Sequence, residues 1–281
     1  MTITIRASST TGWMDCQLRA AVHSAPRMFE EHGFALHRSR ANIGALVGSG
    51  VHGAAEPGLK EKMLGGTVMP ASALADAGIE AFRARRLEEA EDVRSIVMDD
   101  DSPSIDDAER QIARMTAQYR EDVLRHSSPV CVESRLSAAF MEGVELSGQA
   151  DLLHLDGQEA NVVRDLKTGR RKLPAAKHAA QIGSYSLLFR AHGYETAGAS
   201  IDYLKRTKLK VPQDPVEAQP LGLHAAESIA HSVLTDMGMK LLAFAADGEP
   251  GRFIPNPSSF LCGSRFCRAF GRPVCPATRS E

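Results

Sequence analysis

A chain of 281 residues, 43% hydrophobic and 24% charged, is long enough to bury a core and ordinary in composition for a globular protein. Its net charge of -2 excludes a globally basic coat for nucleic acid, so affinity for a polyanion must come from local patches. The N-terminus lacks the apolar core of a signal peptide and no stretch approaches the ~20 apolar residues of a membrane span, so a cytoplasmic location without a membrane partner is expected.

Five cysteines, an odd number without a tight even framework, point to thiols or a metal group rather than to disulfides. Residues 13–31 read as one amphipathic helix with Cys16 in its first turns. The next segment, 42–56, holds Gly44, Gly48, Gly50 and Gly53 and still reads as a helix. A helical glycine costs ~1 kcal/mol relative to alanine, so these four imply that another backbone or a ligand comes close. Residues 70–93 and 104–126 read as further helices, the first through Ile79, Phe82, Leu87 and Ala90, the second through Ile112, Met115, Tyr119 and Val123. Ser104 with Asp107 resembles a capping box. Between them, Asp99-Asp100-Asp101 has no oxygen-ligand loop pattern around it and is expected to be a solvated loop.

Residues 129–136 form the first clear strand, continuing towards Phe140, and Glu142-Gly143 turns into a strand that ends in Leu146-Ser147-Gly148-Gln149-Ala150-Asp151. Two apolar runs, 152–155 and Val162-Val163, flank Asp156-Gly157 and predict a hairpin or meander. In Asp165-Leu166-Lys167, period-two alternation puts a carboxylate and an ammonium on one face. If the neighbouring strand sets Asp151 beside Asp165, the two carboxylates repel unless a divalent cation lies between them. A helix follows from Pro174 to about Gly193, on which Lys177, Gln181 and Tyr185 recur every four residues. Its amide and phenol suit a phosphate or a base, or else the core. Basic residues cluster at Arg170, Arg171, Lys172, Lys177 and His178 and again from Lys205 to Lys210. A strand at 199–204 and a long helix at 221–246 come next, and Cys262, Cys267 and Cys275 then fall within fourteen residues of a tail that needs a staple. Thiolates there suit zinc or an iron-sulfur cluster.

Gly148 through Asp151, Asp165-Leu166-Lys167-Thr168-Gly169 and Gln181-Ile182-Gly183-Ser184-Tyr185, in that order, resemble the PD-(D/E)XK nuclease superfamily, specifically its RecB-like exonuclease branch. The resemblance implies an α/β (α+β) fold with a restriction-endonuclease-like core, a central mixed sheet flanked by helices. It implies one nuclease domain over 1–281, made of an N-terminal helical part (1–56), a helical insertion (70–126), a catalytic core (129–246) and a cysteine-rich tail (255–281). Asp151, Asp165 and Lys167 become the catalytic residues. Mg2+ or Mn2+ is expected on His52, Asp151, Asp165 and the backbone carbonyl of Leu166, because Gly48 to His52 matches the G-x-x-x-H helix of that branch. Glu133 is either a further acid beside the metal or an exposed strand residue. DNA contacts are expected from Gln181, Tyr185, Lys177, Arg170 and Arg171.

Iron-sulfur members of the branch take one cysteine from near the N-terminus and three from the C-terminus. Cys16 with Cys262, Cys267 and Cys275 reproduces that arrangement at wider spacing, implying a 4Fe-4S cluster, with zinc or unliganded thiols as the alternatives. The expected activity is metal-dependent DNA exonuclease action on single strands or duplex ends in phage recombination or repair, with a recombination partner protein. A CRISPR-adaptation nuclease, or a non-catalytic DNA-binding subunit that keeps the fold, are the competing readings.

Overall fold

The computed structural model describes residues 2–38, 40–89 and 96–278. Among these, six strands form one mixed sheet: β1 (Ile3–Arg6), β2 (Pro129–Met141), β3 (Val144–Leu155), β4 (Asn161–Gly169), β5 (Gly198–Lys205) and β6 (Glu217–Leu221). The hub is β3. Along one edge it pairs antiparallel with β2 through a turn in which Gly143 takes φ 73°. Its other edge is divided, with β1 running parallel from Ile3↔Val144 to Arg6↔Ser147 and β4 antiparallel from Leu152↔Arg164 to Leu155↔Asn161. Gly148–Asp151 therefore has no strand on that edge, and the sheet carries a notch. Beyond β4 lie the parallel β5 and the antiparallel β6, whose Pro220 is tolerated because β6 is an edge.

Two helical layers cover the faces. On one side α1 (Thr10–Asp15), α2 (Gln17–Ser24), α3 (Pro26–Glu31), α7 (Ala179–Ala191) and α8 (Leu223–Asp247) enclose a core containing Val163, Ile201, Ile182, Leu188 and Phe244. On the other, α4 (Ile43–Gly65), α5 (Ala71–Glu89) and α6 (Ile105–Asp122) bury Val132, Leu152, Leu166 and Leu204 against Val47, Val51 and Ile112. The segment expected as an insertion, 70–126, packs together with α4 in this second layer. The helical glycines have their reason: a Cβ on Gly50 would lie 2.8 Å from the carbonyl oxygen of Gly78, and one on Gly53 2.3 Å from Ala81 Cβ. The backbones of α4 and α5 touch there.

Three expectations change. The helix over 13–31 is broken twice, at Cys16, which is extended (φ -152°, ψ 106°), and at Ala25, ahead of Pro26 at a helix start. The first strand is β1, four residues of Ile-Thr-Ile-Arg with alternating burial. The acidic loop is solvated only at Asp100: Asp99 pairs with Arg206, Asp101 lies 2.6 Å from Arg170, and buried Ser102 donates to Gln111 at 2.6 Å. Their partners are far along the chain, where local pattern cannot show them. Half of the capping box is present: Asp107 N–H donates to Ser104 Oγ at 3.1 Å, while the Ser104 hydroxyl donates to Asp107 Oδ2 at 2.7 Å. Residues 90–93 of the expected 70–93 helix lie outside the described residues.

The tightest helix contact is between α7 and α8, where a Cβ on Gly183 would stand 2.1 Å from the carbonyl oxygen of Ala226. Neither backbone can give cheaply, so Gly183→Ala is expected to destabilise the protein by about 2 kcal/mol or more in chemical denaturation. Gly157→Ala, with open space around its Cβ position, is expected to stay within about 0.5 kcal/mol of the parent.

Candidate active site

On β4, Val163 packs into the core under α7 and Leu166 into the core under α4, so Asp165 and Lys167 project towards α7. Asp165 Oδ2 lies 2.7 Å from Lys167 Nζ. Gln181 on α7 ties the pair together: its Oε1 accepts from Lys167 Nζ at 3.0 Å, and its Nε2 donates to Asp165 Oδ1 at 3.3 Å and to Tyr185 OH at 3.0 Å. The Asp165 side chain is only 2% exposed. Burial, joined by the charge of Asp151, pushes its pKa up to about 6 against the pull of Lys167. Burial also works against the Lys167 ammonium, yet Asp165 and Asp151 hold its pKa above the ordinary value.

Asp151 lies just short of Leu152, where the β3–β4 ladder ends, and its Oδ2 accepts the Leu166 N–H at 2.7 Å. Ala150 packs under α7 while Leu152 packs under α4, so the two-residue alternation slips at Asp151. His52 comes from α4, one turn after Gly48. A Cβ on Gly48 would be 2.6 Å from Thr168 Oγ1, so its absence lets the helix run against β4. His52 Nδ1 is 3.4 Å from Asp151 Oδ2 and 4.0 Å from Glu133 Oε1, and all three ligand atoms lie within 4.8 Å of one another. Glu133 adopts φ 47°, a left-handed conformation unusual for a side chain on a strand, and accepts from Gln149 Nε2 at 2.8 Å.

Electrostatics bind this trio. Burial alone would lower the His52 pKa, but the charge and hydrogen bond of Asp151, helped by Glu133, raise it to about 10. Burial opposes ionisation of Asp151, which His52, Lys167 and the Leu166 N–H nevertheless hold below the usual carboxylate range. Glu133 is raised, by burial first and by Asp151, against His52. One imidazole nitrogen and two carboxylates converging at a partly exposed mouth form a donor set that fits a divalent cation. Asp165 lies deeper, committed to Lys167 and Gln181.

Other expected residues fall differently. Gln181 and Tyr185 are buried, so their polar atoms serve the Asp165–Lys167 pair rather than an open face. Lys177 precedes α7 in a 3-10 turn and is exposed, off the face it was expected to share. Arg170 and Arg171 are both exposed, and Arg170 is paired with Asp101. The residue on the Gln181–Tyr185 face is His178, three and seven positions before them. It is buried, both ring nitrogens lack partners, and burial with the nearby Lys167 charge pushes its pKa down to about 4. That spacing was a readable signal. Arg164 and buried Asp202, 2.7 Å apart on adjacent strands, were not.

At the chain ends, Cys16, Cys262, Cys267 and Cys275 line a single pocket with Arg19, Asn256 and Phe270. Cys16 Sγ accepts from the Asn256 N–H at 3.3 Å. Among the described residues, no three of these sulfurs lie within 4.8 Å of one another. A closed zinc site with Zn–S near 2.3 Å needs sulfurs about 3.8 Å apart, so the observed set is wider than zinc requires.

The family model described as the PD-(D/E)XK nuclease superfamily matches residues 7–276. A solved structure from Eubacterium rectale, provisionally described as an exonuclease, superimposes with a TM-score of 0.57 at 12% identity, covering 92% of this chain and 86% of that one. That likeness concerns the fold. The structure of SSO0001 aligns at 14% identity over 75% of this chain and 82% of that one, with a TM-score of 0.27. No curated protein matches the chain.

Left-handed backbone at Glu133 is a local cost on the order of 1 kcal/mol that glycine does not bear. Glu133→Gly is therefore expected to be more stable than Glu133→Ala by about that amount, reversing the usual order in a strand. Urea titrations of the two variants check this.

Proposed function

Because this chain belongs to the PD-(D/E)XK nuclease superfamily, we propose that it is a metal-dependent deoxyribonuclease of exonuclease type, acting in phage recombination or DNA repair. The observation that carries the reading is the pairing of buried Asp165 with Lys167 beside the converging His52, Glu133 and Asp151. A purely DNA-binding module has no use for carboxylates next to phosphate. Asp151, Glu133 and His52, with Asp165 and the Leu166 carbonyl, would hold Mg2+ or Mn2+, and the imidazole favours Mn2+ as the softer of the two. When bound, such an ion supplies Lewis acidity, drawing charge from a phosphate oxygen and making water more acidic.

The chain's own groups do the rest. Lys167, held by Asp165 and Gln181, sets a fixed positive charge where negative charge grows on the phosphate. Gln181 holds Lys167 in place and Tyr185 holds Gln181, a positioning relay under α7. Arg171 and Lys177, exposed on the segment after β4, engage the DNA backbone. The free cysteines suit a reducing cytoplasm. The four thiols that share one pocket would hold a 4Fe-4S cluster, with zinc as the alternative.

Labelled single- and double-stranded DNA incubated with Mg2+, Mn2+ or chelator tests the reading. Cleavage with metal alone is expected, and Asp165→Ala and Lys167→Ala should each lower kcat by about a thousandfold or more while DNA affinity changes little. Full activity in chelator, or in Asp165→Ala, would exclude it. A second outcome concerns protons. His52 is protonated up to about pH 10 without metal and can ligate only when neutral. Mn2+ binding at pH 8 is expected to release close to one proton, and apparent affinity to rise about tenfold per pH unit from pH 7 to 9. Calorimetry in buffers of different ionisation enthalpy measures both. The same linkage gives the metal-free fold stability below pH 6.5 that is lost as pH rises through about 10.

A further inference from the structure

Arg19 lies on α2, three residues after Cys16, and is 7% exposed. Its Nη2 donates to Asp15 Oδ2 at 2.8 Å, while its Nη1 is buried without any hydrogen-bond partner. Asp15 does not need this partner. Its side chain is 40% exposed and its Oδ2 already accepts from Ser259 Oγ at 2.6 Å. A guanidinium taken out of water with one terminal nitrogen unsatisfied is unfavourable unless negative charge meets it. The wall it forms is that of the four-thiol pocket.

Four thiolates around one Zn2+, or around a four-iron cluster in its common oxidised state, leave a net charge of about minus two. We propose that Arg19 is a positioning and charge-compensating residue for an anionic, thiolate-held metal group between the chain ends, its free Nη1 donating to a ligand sulfur. This inference rests on the reading of the four cysteines as a metal site, and not on the nuclease site. Asp15 fixes the guanidinium from outside, and Asn256 N–H supplies a second donor at Cys16 Sγ. Outer donors of this kind orient ligands and are commonly worth about tenfold or more in metal retention.

The test uses the full chain, purified without oxygen and reconstituted with iron and sulfide, as parent, Arg19→Met and Arg19→Lys. Iron per chain, the rate of iron loss to a chelator, the midpoint potential, and melting of apo and loaded protein are read. Arg19→Met is expected to lose iron about tenfold faster, with a more negative potential because a neighbouring positive charge is gone. Loaded Arg19→Met should melt below the loaded parent, whereas apo Arg19→Met should melt at or above the apo parent, having shed a buried cation. Arg19→Lys, which keeps the charge but not the planar fork, should fall between. Unchanged iron loss and potential in Arg19→Met overturn the proposal, as does equal collapse of both apo variants, which would make Arg19 a residue of the fold alone. Zinc uptake in place of iron leaves the same comparison to decide, read as affinity against a zinc chelator. If the parent takes up neither metal, the four-thiol reading falls and this proposal with it, while cleavage by the parent and its loss in Asp165→Ala stand apart.

Discussion

Between Ser147, where β1 stops, and Leu152, where β4 begins, one edge of β3 has no strand beside it among the described residues, and backbone groups there need other partners. The Asp151 carboxylate is one of them, taking the Leu166 N–H that lies past the end of the ladder. A carboxylate doing backbone work is fixed in place. In that gap Asp151 stands 3.4 Å from His52 of one helical layer, and its charge reaches Asp165 under the other. Gly148 belongs to the same arrangement, since a Cβ there would stand 3.0 Å from the Tyr185 ring that closes the notch from the α7 side.

Around that gap charge is balanced locally. Asp151, Asp165 and Asp202 lie on three neighbouring strands, and Lys167, Arg164 and protonated His52 face them. Burial raises Asp165 and Asp202, so neither is comfortable as an anion without its cation. Breaking such a buried pair from one side commonly costs 3–5 kcal/mol, or about that, because a charge is left unmatched. Depth separates the roles. Asp165 is buried beneath Gln181 and Tyr185, while Lys167 and His52, with side chains 24% and 31% exposed, reach the mouth.

Legibility in the sequence followed the range of the interactions. Asp165 and Lys167 were readable because alternation along one strand is a local rule, and Asp151 because the hairpin before them is local too. His52 needed the resemblance, since nothing near Gly48 says which strand α4 will touch. The four-residue β1 and the proline-bearing β6 were missed because each offers too few residues for a pattern. The Cys16 break in the first helix and the pairing of Asp99 and Asp101 with Arg206 and Arg170 depend on contacts across most of the chain. A run of three aspartates looks solvated until its distant cations are known.

The two ends of the chain bear on the notch through the core they share. Cys267, Val274 and Cys275 are buried in the same cluster as Trp13, Phe29, Phe253, Ile182 and Tyr185, so the tail and α1–α3 pack against the layer that covers Asp165. β1, which fills the first half of the β3 edge, leads directly into those helices. Whatever the four thiols hold would therefore secure β1 on its edge and keep the notch at its present length. A group that joins residue 16 to residues 262–275 closes a loop of some 250 residues, where the entropic gain from a cross-link is near its largest, on the order of 5 kcal/mol in the chain-entropy picture. Bound there, such a group would brace the sheet's divided edge from the two chain ends.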